Sequence, residues 1–277
     1  MTATSIDTRL DKLERMRTIL RPLESVMVAF SGGVDSTFVL KVAHEVLGDK
    51  VTALTTTSPT MPSQDRESAL EMAARIGARH IIVESNELEI PGYAANPLNR
   101  CYLCKHNLFT VCTAKAAELG IGTILDGLNL DDLHDYRPGI KAAAERAVRH
   151  PLVEAEMTKA EIRLFSRALG LPTWDRPASP CLSSRFPYGT EITIDGLEKV
   201  EGGERILREM GFAVARVRYH GDVARIEVDA AEVARLLEPA NRSRADDGLR
   251  ALGFRFVTVD LRGFRSGSLN EGITSPA

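Results

Sequence analysis

The stretch that decides the fold is Val26-Met27-Val28-Ala29-Phe30-Ser31-Gly32-Gly33-Val34-Asp35-Ser36. Five apolar residues in a row read as a buried strand, and two adjacent glycines let the chain turn sharply out of it. The pattern Phe38, Val39, Val42, Ala43, Val46 then gives a helix that stops at Gly48. A strand handing over to a helix through such a turn leaves free backbone N–H groups at the helix N-terminus. With the hydroxyls of Ser31 and Ser36 they form a cradle for a phosphate anion. No lysine follows the glycines, so this is not a Walker A loop, and the glycine spacing is not GxGxxG either.

Outward from this loop the alternation continues. An amphipathic helix over about residues 6–20 precedes it. Beyond it the pattern gives strand 51–57, helix 63–76 ending at Gly77, strand 80–84, helix 108–119 ending at Gly120, and strand 123–125. Helical patterns recur at 138–148 and 158–169. Strand–helix alternation predicts an α/β domain with a parallel sheet and helices on both faces. The segment LPTWDRPASPCLSSRFPYG then carries Pro172, Pro177, Pro180 and Pro187, a spacing no helix runs through. After it the expected order is strand 192–194, helix 196–210, strands 213–219 and 223–228, helices over 230–252 and strand 254–261. That βαββαβ order predicts a ferredoxin-like α+β domain. The expected division is therefore 1–175, an interdomain loop 176–190, and 191–277.

Composition narrows the class. The 277 residues are 44% apolar, 26% charged and 5% aromatic, which excludes disorder and coiled coil. The net charge of −3 offers no general field for nucleic acid. The N-terminus has no apolar core of a signal peptide, and eighteen apolar residues never run together, so a cytoplasmic protein with no membrane span is expected. Arginine dominates the cations, 27 against 8 lysines, and 12 of the 27 fall between Arg205 and Arg265. The six histidines are scattered and none is assigned to a metal.

Four cysteines in such a chain are no disulfide framework. Cys101 and Cys104 form a CxxC just before the expected helix; such a pair ligates zinc, ligates an iron–sulfur cluster, or cycles as a disulfide. Cys181, in the proline-rich loop, is the obvious third thiol, whereas Cys112 sits in an apolar helix and reads as core. Three thiols with an open fourth position suit a site-differentiated [4Fe–4S] cluster or an open zinc. Lys105 would favour thiolate or neutralise developing charge.

SGGVDS after a short apolar strand resembles the PP-loop of N-type ATP pyrophosphatases, whose members adenylylate a carboxyl or carbonyl oxygen and release pyrophosphate. LDGLNLDD matches the acidic segment that helps hold magnesium in that superfamily. The strings SGGVDS, RCYLCK, LDGLNLDD, RPG…HPL, LGLPTWDRPASPCLSSRFPYG, RVRYHGDVARIEV and VTVDLRGFRSGSLN, in this order, resemble the LarE-type ATP-dependent sulfur transferases from about residue 10 to 272. The resemblance implies service in nickel-pincer nucleotide cofactor biosynthesis, as in lactate racemase maturation. The implied substrate is a pyridinium dicarboxylate mononucleotide, each carboxylate being adenylylated with Mg·ATP and turned into a thiocarboxylate. It implies Ser31, Gly32, Gly33, Asp35, Ser36, Asp126 and Asn129 at the nucleotide, with Asp35 and Asp132 at magnesium. It implies Ser184, Arg185, Glu204, Arg216 and Arg218 at the substrate, and Cys181 and Lys105 in catalysis. In one branch the cysteine matching Cys181 gives up its own sulfur and becomes dehydroalanine. In the other a [4Fe–4S] cluster on three cysteines delivers sulfide, and the presence of Cys101 and Cys104 beside Cys181 favours that branch. A PP-loop tRNA thiolase is the nearest rival, disfavoured by the net charge and the lack of a basic RNA-binding module. Arg265-Ser266-Gly267-Ser268 is a further possible anion nest, and a homo-oligomer is expected. What resupplies sulfide is not legible in the sequence.

Overall fold

The computed structural model describes residues 3–134, 138–265 and 267–270. The chain divides into two compact units, Met1–Glu87 with Asn99–Ser179, and Leu88–Leu98 with Pro180–Ala277. The second unit thus takes up an eleven-residue excursion from within the first half of the chain, a feature absent from the expected boundaries.

In the first unit the order is α1 (Ala3–Leu20), β1 (Val26–Ala29), α2 (Val34–Leu47), β2 (Val51–Thr57), α3 (Ser63–Ile76), β3 (Arg79–Glu84), α4 (Arg100–Leu119), β4 (Thr123–Leu125), α5 (Gly139–Ala144), α6 (Pro151–Glu154) and α7 (Lys159–Ala168). The sheet is wholly parallel in the order β3-β2-β1-β4. Alternate residues of a strand face opposite sides, and the core divides accordingly. Val26, Val28, Val51 and Ala53 pack with Met16, Phe38, Met72, Ile162 and Phe165 from α1, α2, α3 and α7. Met27, Ala29 and Leu54 pack with Phe109, Cys112 and Ala142 from α4 and α5. Helices therefore cover both faces, as the continuous apolar strands require. Because β2 and β4 flank β1 on opposite sides, the order reverses between β1 and β4. The carboxyl ends of those two strands form the crevice where α/β sheets bind ligands.

Two first-unit expectations shift. Helix α4 begins at Arg100, not 108, so Cys101 and Cys104 lie inside it, as its second and fifth residues. Charged and polar residues over 105–107 hid the helical period that the buried Arg100, Phe109, Cys112 and Ala116 share. The helix expected over 138–148 ends at Ala144, with Ala147 in the left-handed region at φ 51°.

The second unit holds α8 (Ile194–Glu209), β5 (Ala215–His220), β6 (Val223–Val228), α9 (Val233–Leu236), α10 (Pro239–Ala251) and β7 (Phe256–Val259). It is α+β, with one correction to the expected order. Residues 192–194 form no strand: Thr193 caps α8, its side chain accepting from the Gly196 N–H at 3.1 Å, so capping chemistry outweighs the β-branched run. In a full βαββαβ sheet that strand would separate the last two. Without it β7 pairs directly and in parallel with β6, while β5 and β6 form the antiparallel hairpin. The helical stretch over 230–252 breaks at Pro239, which starts α10. Among the described residues no helix is long and apolar enough to cross a membrane.

Candidate active site

The loop from Phe30 to Gly33 fits only glycine at its tightest point. Gly32 sits at φ +69°, and a Cβ there would lie 2.5 Å from the Ala69 backbone nitrogen on α3. Its carbonyl accepts from Ser68 Oγ at 2.9 Å. Ser31 and Ser36 hydroxyls meet at 3.1 Å, and Ser36 Oγ accepts from the Ser31 N–H at 3.3 Å, which folds the loop over the start of α2. From β4, Gly127 crosses this helix start so closely that a Cβ would stand 2.9 Å from the Ser36 nitrogen. The expected phosphate cradle and the segment expected to hold magnesium are thus brought together.

That segment is built from side chain–backbone turns. Asp126 Oδ1 accepts from Leu128 N–H at 3.0 Å and lies 2.7 Å from His150 Nδ1. Burial disfavours charge on His150, but the hydrogen bond and charge of Asp126, helped by Glu154, hold its pKa above the ordinary value. Asn129 is buried, and its Oδ1 accepts from the Asp131 and Asp132 N–H groups at 3.0 and 3.3 Å. Sequence reasoning missed Lys159. Its ammonium pairs with Asp35 Oδ2, and its backbone N–H donates to Asp131 Oδ2 at 2.7 Å. The signal that finds it is Thr158-Lys159-Ala160-Glu161, a capping box that fixes Lys159 at the first position of α7. Among the described residues Asp35 Oδ1 is buried without a hydrogen-bond partner. A hard carboxylate oxygen left unpaired beside a phosphate cradle fits magnesium.

Cys101, Cys104 and Lys105 are spaced i, i+3, i+4 and share one face of α4; Cys101 and Lys105 are exposed and Cys104 partly so. Lys105 packs its stem against Gly139, the start of α5, where a Cβ would stand 2.7 Å from Lys105 Cγ. Cys112 is fully buried, and burial pushes its thiol up to about 12, as expected of a core residue. Among the described residues no three His, Cys, Asp or Glu side chains are gathered as a ready-made metal site.

The asparagine synthase family model matches residues 14–98, the part of the chain that contains the phosphate loop. The chain is 45% identical over 263 residues to the uncharacterized protein slr1717 of Synechocystis, covering 95% of this chain and 98% of that one. It is 26% identical over 167 residues to argininosuccinate synthase of Pyrococcus furiosus, covering 54% of this chain and 40% of that one. It is 40% identical over 256 residues to pyridinium-3,5-bisthiocarboxylic acid mononucleotide synthase of Lactiplantibacillus plantarum, covering 92% of both. The chain belongs to the LarE family. It is accordingly an ATP-dependent sulfur transferase with a PP-loop.

In the second unit of this LarE-family chain, Cys181 stands at the head of the short turn 182–185. Arg185, only 1% exposed, grips Glu204 of α8 with Nε and Nη2 at 2.7 and 2.9 Å, a bidentate pair. Its Nη1 donates to the carbonyls of Pro180 and Cys181 and to Ser184 Oγ at 2.6, 3.1 and 2.9 Å. Arg216 and Arg218 project from the face of β5 opposite the core residues Ala215 and Val217, beside Arg225 and Glu227 of β6. Arg218 bonds Glu227 at 2.7 Å, the Ser184 carbonyl at 2.9 Å and Ser268 Oγ at 3.0 Å. Burial and the charge of Arg185 lower the Arg216 pKa to about 10, Glu204 working against them. Arg216, Arg218 and Arg225 outnumber Glu227 and Asp260, whose Oδ2 lies 3.9 Å from Arg225 Nε, so this sheet face keeps an excess of guanidinium, a suitable seat for an anion. Of the possible nest at 265–268, Ser266 lies outside the described residues.

Proposed function

We propose that this LarE-family chain adenylylates the carboxylates of pyridinium-3,5-biscarboxylic acid mononucleotide and converts them to thiocarboxylates, in nickel-pincer nucleotide cofactor biosynthesis. The observation that carries the substrate is the 40% identity to the synthase over 92% of both chains. In the first half-reaction a carboxylate oxygen bonds to the α-phosphorus of ATP as the bond to pyrophosphate breaks. The backbone of Ser31–Gly33 and the first turn of α2, with the hydroxyls of Ser31 and Ser36, would hold the leaving pyrophosphate. Magnesium, held by Asp35 and Asp132, would neutralise its charge. Asp126 and Asn129 shape the segment that carries Asp132, and the Lys159 ammonium adds a positive charge beside Asp35. In the second half-reaction sulfur bonds to the acyl carbon and AMP leaves.

The positive face of the second unit supports a seat for the mononucleotide phosphate and its second carboxylate on Arg216 and Arg218, with Ser184 and Glu204 beside it. Arg185 is spent on Glu204 and on the peptide around Cys181, so we assign it to holding that loop. Soft thiolates fit iron, and Cys101 and Cys104 stand accessible on one helical turn. A [4Fe–4S] cluster on Cys101, Cys104 and Cys181 would supply sulfide and spare the protein. Lys105, on the same face, is assigned to the charge that develops during transfer. This chemistry belongs in the reducing cytoplasm.

The test is anaerobic. The reconstituted chain is given Mg·ATP and the dicarboxylate mononucleotide; pyrophosphate and thiocarboxylate are followed, and the intact mass is taken afterwards. Several turnovers with unchanged thiols, and loss of sulfur transfer in Cys101→Ala, are expected. Loss of one H₂S from the Cys181 peptide would transfer the sulfur source to Cys181 itself. No pyrophosphate release would overturn the reading.

A further inference from the structure

The segment between α7 and Cys181 has the composition of a loose loop and the hydrogen bonds of a fixed one. Arg163 of α7 donates from Nη1 to the Trp174 carbonyl at 2.7 Å and from Nη2 to the Arg176 carbonyl at 2.8 Å. Asp65, in the first turn of α3, is 8% exposed, and both carboxylate oxygens are used on this segment. Oδ1 accepts from Arg176 Nη2 at 2.6 Å, and Oδ2 accepts from Ser179 Oγ at 2.8 Å. Arg176 Nη1 donates in turn to the Gly32 carbonyl at 3.2 Å. That carbonyl belongs to the phosphate loop and also takes Ser68 Oγ. Asp65, Ser68 and Ala69 are spaced i, i+3, i+4, so one face of α3 carries both the seat of Gly32 and the anchor of residues 176–179.

A carboxylate withdrawn from water needs such complete pairing to offset its desolvation, and here the pairing joins α3 to Arg176 and Ser179. Its partners lie just ahead of the sulfur-bearing cysteine. Two peptide steps separate Ser179 from Cys181, so their Cα atoms stay within about 7 Å whatever the second unit does. We propose that Asp65 is a positioning residue for sulfur transfer, tethering the chain ahead of Cys181 to the phosphate loop. The inference rests on the adenylylation reading above and is independent of which sulfur source operates, because both employ Cys181. An acyl-adenylate that waits for a wandering nucleophile is lost to water. The consequence of losing the tether is therefore uncoupling: pyrophosphate released without thiocarboxylate formed.

The experiment measures both products in one anaerobic reaction of the full reconstituted chain with Mg·ATP and the dicarboxylate mononucleotide. In Asp65→Asn, pyrophosphate release is expected to stay within about threefold of wild type, while thiocarboxylate formed per pyrophosphate falls at least ~10-fold. Ser179→Ala, which removes only a loop hydroxyl, keeps the question open to test if Asp65→Asn folds poorly. It should shift the same ratio in the same direction by a smaller factor. A ratio that holds in both variants, or two products that fall in parallel, overturns the inference and leaves Asp65 as scaffold. A wild type that releases no pyrophosphate overturns the parent reading, and this inference with it.

Discussion

Gly32 shows how narrowly single residues are specified at this site. Any side chain there meets two obstacles: a left-handed backbone, costing roughly 1–2 kcal/mol for an L-residue, and the α3 backbone 2.5 Å away. Backbone has no rotamer with which to yield. Gly32→Ala should therefore push the phosphate loop off α3 and cut ATP-dependent pyrophosphate release by about 100-fold. Stability should drop by only ~1–3 kcal/mol in urea unfolding. Unchanged pyrophosphate release would show that the loop tolerates the shift. Lys159 teaches a complementary lesson. Nothing in its own identity separates it from a solvated lysine; its meaning comes from Thr158 and Glu161, which pin the backbone that carries it beside Asp35.

At the scale of elements, α7 joins local stability to the site. Its capping box is complete, with Glu161 Oε2 accepting from the Thr158 N–H at 2.9 Å, and Lys12 of α1 holds Glu161 Oε1 at 2.8 Å. Thr158→Ala should cost about 1 kcal/mol, lowering the melting temperature by about 2–4 °C in a chain of this size. Because Lys159 is the next residue, the variant should also weaken ATP binding, measurable by calorimetry. A melting shift without any change in ATP affinity would separate cap from site. The elements most legible in the sequence were those whose burial pattern is simple: β2 and α3 fall where their apolar runs and Gly77 place them. What misled was competition between signals. Ile192-Thr193-Ile194 carries strand propensity, yet Thr193 is also a helix cap, and the cap prevailed. The resemblance set Arg185 and Glu204 together at the substrate, but nothing local announces Glu204, nineteen residues on, as the buried ion-pair partner of Arg185. Asp65 was illegible for the same reason: its partners Arg176 and Ser179 lie more than a hundred residues downstream.

For the whole molecule, the separate cores make the two proposed ligand sites separately testable. Hydrogen exchange with Mg·ATP alone should slow at residues 31–37, 68–69 and 126–132, around the phosphate loop. The dicarboxylate mononucleotide alone should slow exchange in β5 and β6, where Arg216 and Arg218 stand. Protection by the mononucleotide confined to the first unit would move its seat off those arginines. The excursion Leu88–Leu98 gives this arrangement a further consequence. Within it Asn96 Nδ2 donates to the carbonyls of Phe186 and Pro187, and the Tyr93 hydroxyl meets Ser183 Oγ at 2.8 Å, so these residues are part of the framework that steadies the Cys181 turn. No single cut yields both units whole: a fragment beginning near residue 180 lacks its own inner strut, and one ending there carries that strut exposed. On the ribosome the same eleven residues emerge nearly a hundred positions ahead of the chain that will enclose them. The sulfur-bearing turn is thus completed only late in synthesis, after the nucleotide-binding sheet has all its strands.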